Sequence, residues 1–185
     1  MAIPEGLKLY GLLEFIGHMY FLLLPAILGG ILNMVLIKLP ILKSWQVPMD
    51  GGKTLKDGRR VFGDNKTWKG FFGMIMLTAL SAWACWHSAF AYSLLCGAWL
   101  GLAYALFELP NSFIKRRLGL QAGKSGGIIQ TFFDQADSAI GYALFLAIIY
   151  PLFWYEILSL IVIATATHYF FNILLYFLRL RGQMG

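Results

Sequence analysis

An all-α, polytopic membrane helical bundle is the fold class this sequence predicts, and three observations predict it. The 185-residue chain is 59% hydrophobic and only 13% charged, where a soluble domain carries about 25% charged residues. Its mean hydropathy is +0.68. Its charges fall into blocks separated by apolar intervals long enough to cross a bilayer, which takes about 20 residues for roughly 30 Å of hydrocarbon. A water-soluble globule is excluded on these grounds. The excess of 15 Lys and Arg over 9 Asp and Glu, net +6, is shared by nucleic-acid binders, but the hydrophobicity is not, so no nucleic-acid partner is expected.

The charge-free interval from Phe15 to Ile37 predicts one span (15–37). Gly70 to Phe107 is too long for one crossing and divides into spans 70–87 and 89–109. Their turn is expected near Trp86, His87 and Ser88, whose aromatic and polar side chains suit an interface. Ser138 to Leu178 carries a single charge, Glu156, beside Pro151, Trp154 and Tyr155, and predicts spans 132–150 and 154–178. Five transmembrane helices and two loops, 38–69 and 110–131, thus form one integral membrane domain over residues 1–185. No internal repeat or low-complexity tract divides it.

An odd number of spans puts the termini on opposite sides of the membrane. Every Lys and Arg except Lys8 lies in the two loops or in the tail, so the positive-inside rule makes both loops and the C-terminus cytoplasmic and the N-terminus external. The expected location is the cell membrane, with several passes. A cleaved signal peptide is not expected, because the N-terminus lacks a basic n-region and its apolar run is too long. Cys85 and Cys96 lie in apolar runs without metal-ligand spacing and read as small buried hydrophobes.

Chemistry is therefore sought in the loops. Gly52-Lys53-Thr54 resembles the end of a P-loop, but the pattern needs Gly where Val47 stands and a preceding buried strand, so that reading fails. Glycines that free backbone N–H groups, together with Lys53, Lys56, Arg59 and Arg60, still favour an anion. From charge alone, a loop that simply holds anionic lipid headgroups and sets orientation is the better reading. Further on, Asp64 or Asn65 is expected to cap the second span, with Lys66 and Lys69 sharing a face of its first turn, where helix N-termini attract phosphate. The alternative is that both lysines snorkel and Trp68 anchors at the interface.

Asp134 and Asp137 open the fourth span at i and i+3, on one helix face. Two like charges at the edge of hydrocarbon repel and are costly to desolvate. A divalent cation relieves both penalties, and hard oxygen ligands suit Mg2+. The competing explanation is a pair of helix N-terminal aspartates favoured by the macrodipole. Past the third span, Asn111 and Lys115 at i and i+4 point the same way if that stretch is helical, although Lys115, Arg116 and Arg117 also read as an ordinary stop-transfer anchor. Gly119 to Gly127 reads as a lid or a plain linker. His168 and Asn172, at i and i+4 in the fifth span, suit packing against a neighbouring helix better than ligation. Paired carboxylates under a cationic face fit a polyphosphate arriving with Mg2+ from the cytosol and a lipidic substrate arriving from the leaflet. Phosphoryl or nucleotidyl transfer needs mainly positioning and charge neutralisation, and no Cys, Ser or His nucleophile.

Three ordered signatures carry a family resemblance. Gly51-Gly52-Lys53-Thr54, Asp57-Gly58-Arg59-Arg60 and Phe62-Gly63-Asp64-Asn65-Lys66-Thr67-Trp68-Lys69-Gly70 resemble the first signature of CDP-archaeol synthases. Asn111-Ser112-Phe113-Ile114-Lys115-Arg116-Arg117-Leu118-Gly119 and Phe133-Asp134-Gln135-Ala136-Asp137-Ser138 resemble the second and third. Within the wider superfamily of CTP:phosphatidate cytidylyltransferases, Ser112, Lys115, Arg116 and the Asp134/Asp137 spacing agree. The Lys-Asp and His-Gly-Gly elements are missing, with Ile129-Gln130-Thr131 where the latter aligns, and Gln135 stands where those enzymes carry Arg. These departures favour the archaeal ether-lipid branch.

The resemblance implies an integral membrane nucleotidyltransferase. Its reaction joins CTP to 2,3-bis-O-(geranylgeranyl)-sn-glycerol 1-phosphate, an isoprenoid ether-lipid phosphate, giving CDP-archaeol and pyrophosphate with Mg2+ as cofactor. The site it implies has Asp134 and Asp137 as metal ligands and, with Lys115, as catalytic groups. Lys66, Lys69 and Lys115 would neutralise phosphates, Lys53, Thr54, Arg59 and Arg60 would close over CTP with Asp64 and Thr67 in the same motif, and Asn111 would contact metal or nucleotide. The isoprenoid chains are expected in a lipid-open groove between spans. A CTP-dependent polyprenol kinase and a non-catalytic anionic-lipid carrier are the alternatives. The CDP-alcohol phosphotransferases carry a longer aspartate motif that is absent here.

Overall fold

The computed structural model describes residues 11–86, 90–122 and 127–177. Among these described residues are five α-helices in chain order: α1 (Leu12–Lys38), α2 (Trp68–Trp86), α3 (Phe90–Arg117), α4 (Ile128–Ile149) and α5 (Trp154–Phe177). Helices are the expected solution, because hydrocarbon offers backbone N–H and C=O groups no partner outside the helix itself. Four of them, α1, α3, α4 and α5, are long and apolar enough to cross a membrane, so the protein is a multi-pass membrane protein. Helix α2 packs between α1 and α3. The turn expected at Trp86–Ser88 lies mostly outside the described residues, as do Lys8, Lys124, Arg179 and Arg181.

Each helix packs chiefly on its sequence neighbours, and α1 also meets α3 and α5, which closes the bundle. The core joins Met19, Leu22, Leu23 and Ala26 of α1 to Leu100 of α3, Tyr142, Ala143 and Leu146 of α4, and Leu160 of α5. The outward face stays apolar, with Leu95, Leu144, Ile148, Val162 and Phe170 exposed, as a surface bathed in acyl chains requires. Since lipid is as apolar as these side chains, close backbone approach and interhelical hydrogen bonds take over as adhesion. Gly97 and Gly101, one helical turn apart on α3, lie so near α2 that a Cβ would stand 2.7 Å from Ala79 Cα and 2.8 Å from Ile75 Cα respectively. Tyr142 donates to the Leu22 carbonyl at 2.7 Å, and Tyr20 pairs with Thr167 at 3.0 Å. His168 meets the Tyr104 hydroxyl of α3 at 3.0 Å, the packing use expected of it.

Helix limits depart from the sequence expectation in three places, each with a local cause. The third span was expected to stop at residue 109, yet α3 runs through Pro110 to Arg117, because a bundle tolerates proline within a helix and three basic residues in the last turn suit the helix C-terminus. Loop 110–131 therefore begins as helix. Second, α4 starts at Ile128 after Gly127, whose φ of 101° favours glycine, so Asp134 and Asp137 lie beyond the first turn. Third, the cap of α2 is neither Asp64 nor Asn65. Thr67 Oγ1 accepts from Gly70 N at 3.2 Å, leaving Lys66 ahead of the helix and Lys69 inside it, so the two do not share a first-turn face.

Candidate active site

The first loop is organised around one carboxylate. Asp50, whose side chain is fully buried, accepts from Gly52 N at 3.1 Å, Phe62 N at 3.0 Å, Gly63 N at 3.0 Å and Arg60 Nε at 3.2 Å, with a second bond from Arg60 Nη2. Burial opposes its ionisation, but the Arg60 guanidinium and the three N–H groups outweigh that and hold the carboxyl well below the usual carboxylate range. Bridges between Pro48 and Thr67 and between Thr54 and Arg60 close the loop on itself.

The same loop is tied to the end of α3. Arg117 Nη1 donates to both oxygens of Asp57, at 2.6 and 2.5 Å, and Nη2 donates to the Arg59 carbonyl at 3.1 Å and to the Arg60 carbonyl. The Arg117 guanidinium also lies over the Phe113 ring, 5.2 Å from its centroid. Arg59 returns a bond to the Arg117 carbonyl. The basic triplet is thus more than a stop-transfer anchor.

Beneath this seam is the acidic centre. On α3, Asn111 Nδ2 lies 2.7 Å from Asp134 Oδ1 and 2.8 Å from Asp137 Oδ2, donating to both aspartates of α4 at once. Lys115 Nζ donates to Asp134 Oδ2 at 2.6 Å. Gln130, one turn before Asp134, donates to Asn111 Oδ1 at 2.9 Å and to Asp134 Oδ1 at 3.1 Å. No acidic residue lies in the first turn of α4, so the macrodipole does not account for the pair. Among the described residues no group of three or more His, Cys, Asp and Glu could hold a metal ion. Two carboxylates converging on one donor are nonetheless the oxygen set that Mg2+ accepts when substrate phosphates complete its shell.

Lys66 reaches the centre from the loop. Its Nζ pairs with Glu108 of α3. Burial lowers its proton affinity, but Glu108, with Asp137 and Asp134 further off, more than offsets this and keeps the ammonium charged above the ordinary lysine range. Lys66 and Glu108 also line a cavity of about 560 Å³ between the helices, with Asn33, Gln135, Ser138 and His168 on its walls.

The structure therefore brings Asn111, Lys115, Asp134 and Asp137 together, with Lys66 alongside. It does not bring Lys69 to them: that side chain is buried and donates to the Leu39 carbonyl at 2.8 Å. Thr67 serves as a helix cap. Arg60 is engaged by Asp50 and, at 2.7 Å, by Asp64, while Lys53 and Thr54 sit on the exposed face of the loop. Sequence reasoning missed Asp50, Glu108 and Gln130 as working residues. Gln130 had a signal, its i, i+4 spacing to Asp134; Asp50 had only its place before two glycines.

A multi-pass helical membrane protein with a carboxylate–amide–lysine centre at one end of its bundle is the class that fold and site define. The chain belongs to the CarS-like CDP-archaeol synthase family, whose model matches residues 12–183. Named CDP-archaeol synthases are similar over most of their length. That of Methanoculleus marisnigri is 34% identical over 145 residues, 71% of this chain and 85% of the relative. Those of Pyrococcus furiosus and Archaeoglobus fulgidus are 33% and 37% identical, over 74% and 72% of this chain and 83% and 82% of theirs. The fold is that of a solved structure described as an intramembrane enzyme for archaeal membrane lipids biosynthesis, with a TM-score of 0.64 and 24% identity over 83% of this chain and 92% of that one.

Proposed function

We propose that the protein is a CTP-dependent cytidylyltransferase that joins CTP to 2,3-bis-O-(geranylgeranyl)-sn-glycerol 1-phosphate, releasing pyrophosphate and leaving CDP-archaeol in the membrane. Family membership supports this reading, and one observation carries it to this chain: the Asn111 amide is held between the Asp134 and Asp137 carboxylates beside the Lys115 ammonium. In this reading the bundle has five spans, α2 being one of them, with an external N-terminus and a cytoplasmic C-terminus. The loops at the site then face the cytosol, where CTP is.

Asp134 and Asp137 would hold Mg2+, which would neutralise charge on the nucleotide phosphates. Lys115 turns from Asp134 to the transferred phosphate, and Lys66 turns from Glu108 to the lipid phosphate at the mouth of the cavity, whose apolar walls take the isoprenoid chains. Asn111 holds the two carboxylates in register. Lys53, Thr54, Arg59 and Arg60 with Asp64 border the nucleotide's approach, while Thr67 and Lys69 set the position of Lys66. No separate base is needed, because a phosphate monoester is already largely ionised at neutral pH.

The test uses purified protein in detergent with Mg2+, the ether-lipid phosphate and CTP labelled at the α- or the γ-phosphate. Label from the α-position in the lipid, with one pyrophosphate per product, is the expected result. Label from the γ-position alone identifies a lipid kinase instead, and no transfer at all leaves a binding protein. Either outcome overturns the proposal.

A further inference from the structure

One oxygen of Asp134 is closed to further ligands. Each oxygen of an ionised carboxylate carries two lone pairs, and Asp134 Oδ1 fills both, accepting from Asn111 Nδ2 at 2.7 Å and from Gln130 Nε2 at 3.1 Å. Among the described residues Oδ2 accepts one bond, from Lys115 at 2.6 Å. The oxygens of Asp137 also accept one each, Oδ1 from Ser138 N at 2.5 Å and Oδ2 from Asn111 Nδ2 at 2.8 Å. The two aspartates are therefore unequal partners for a cation.

Gln130 makes the difference. It is the third residue of α4, which starts at Ile128 after Gly127, and it lies one turn before Asp134 on the same helix face. Its Nε2 also donates to Asn111 Oδ1 at 2.9 Å, so both amide hydrogens are used and the Asn111 nitrogen is held towards the carboxylates. A neutral donor behaves differently here from an ammonium. In the proposed reaction Lys115 leaves Oδ2 for a phosphate, whereas Gln130 carries no charge for a phosphate to attract, and Oδ1 stays occupied.

A carboxylate with one open oxygen binds a cation through that oxygen alone. Mg2+ demands a near-ideal octahedron, which the narrow bite of a two-oxygen carboxylate distorts, while the larger Ca2+ takes more oxygens in flexible geometry and accepts such carboxylates readily. We infer that Gln130 is a positioning residue that sets cation selectivity: by occupying Asp134 Oδ1 it restricts Asp134 to one-oxygen ligation and favours Mg2+ over Ca2+. This rests on the metal-site reading above. Gln130 touches neither cation nor substrate and acts through Asp134 and Asn111.

Isothermal titration of the full-length protein in detergent, with MgCl2 or CaCl2 and no nucleotide, measures the Mg2+-to-Ca2+ affinity ratio. The native chain is set beside Gln130→Met, Gln130→Ala and Asp134→Asn, with thermal unfolding of each as a check on folding. Gln130→Met keeps the length of the side chain and removes its donors, so Oδ1 opens. The ratio should fall roughly 10-fold, the scale on which groups behind the ligands tune a metal site, with Ca2+ bound more tightly than by the native protein. An unchanged ratio overturns the assignment, and so does an equal loss of both ions, which is what a merely structural role produces. If Gln130→Met does not fold, Gln130→Ala decides by the same criteria. Asp134→Asn separates the assignment from the metal site beneath it. Mg2+ affinity lost in Asp134→Asn, with the ratio unchanged in Gln130→Met, overturns the role of Gln130 alone. Mg2+ affinity untouched by Asp134→Asn overturns the metal site and the role of Gln130 with it.

Discussion

Lys115 of α3 donates to Asp134 of α4 at 2.6 Å, and through that bond the ammonium occupies the carboxylate oxygen that a divalent cation needs. If Asp134 holds Mg2+ as proposed, protein and cation compete for one lone pair, and removing the competitor should show it. Lys115→Met is expected to raise the affinity for Mg2+ while lowering kcat, because the same ammonium is required on the transferred phosphate. Isothermal titration without nucleotide, set beside steady-state rates, measures both. Unchanged Mg2+ affinity would mean that the bond does not gate the cation.

The shared amide gives a graded series. Asp134→Asn and Asp137→Asn each remove a charge from the cation's oxygen set and are expected to abolish turnover with folding and insertion intact. Asn111→Ala leaves both carboxylates but removes the donor that aligns them, and should lower kcat/KM about 10- to 100-fold, as loss of a ligand-orienting group does. Near-normal rates in both Asn variants would remove the metal site.

Asp50 makes a pH prediction. Its native carboxyl titrates below the unfolded one, so the stabilisation it supplies is present above the ordinary carboxylate pKa of about 4 and is lost as pH falls. Hydrogen exchange at Gly52, Phe62 and Gly63, which donate to Asp50, should stay slow, after correction for intrinsic rates, from pH 8 to 5 and accelerate below pH 4. Asp50→Ala should make these amides exchange fast at every pH and cost roughly 3 kcal/mol, since it leaves Arg60 without its main partner.

The α2–α3 contact can be tested with glycines alone. Gly97→Ala puts a methyl into the backbone of Ala79, whereas Gly30→Ala meets nothing within 4 Å. The first should destabilise by about 1–3 kcal/mol, the usual cost of overpacking, and the second should be neutral. Thermal unfolding in matched detergent compares them.

Much of this was legible because charge marks the limits of membrane helices: Glu14 and Lys38 bracket all but the first turn of α1, and Glu156 marks the start of α5. The convergence of Asn111, Lys115, Asp134 and Asp137 was legible as spacing, each pair lying one turn apart on its own helix. What was not legible depends on tertiary neighbours. Nothing in two lysines three positions apart says that Lys66 finds Glu108 while Lys69 turns inward to the Leu39 carbonyl. Nothing in a basic triplet says that its middle member is the buried one. The start of α4 was misplaced because the glycines before it read as linker, although Gly127 caps the helix.

Pro110 divides α3 into two parts with separate duties. Gly97 and Gly101, which press against α2, lie before it; Asn111, Lys115, Arg116 and Arg117 come after. Proline has no N–H to offer the carbonyl one turn earlier, that of Leu106, so this turn can bend without breaking a hydrogen bond. The charged tip thus continues α3 past the one turn that its own backbone holds least tightly, and its position is set from outside the helix, by the α4 aspartates and by Asp57 of the first loop.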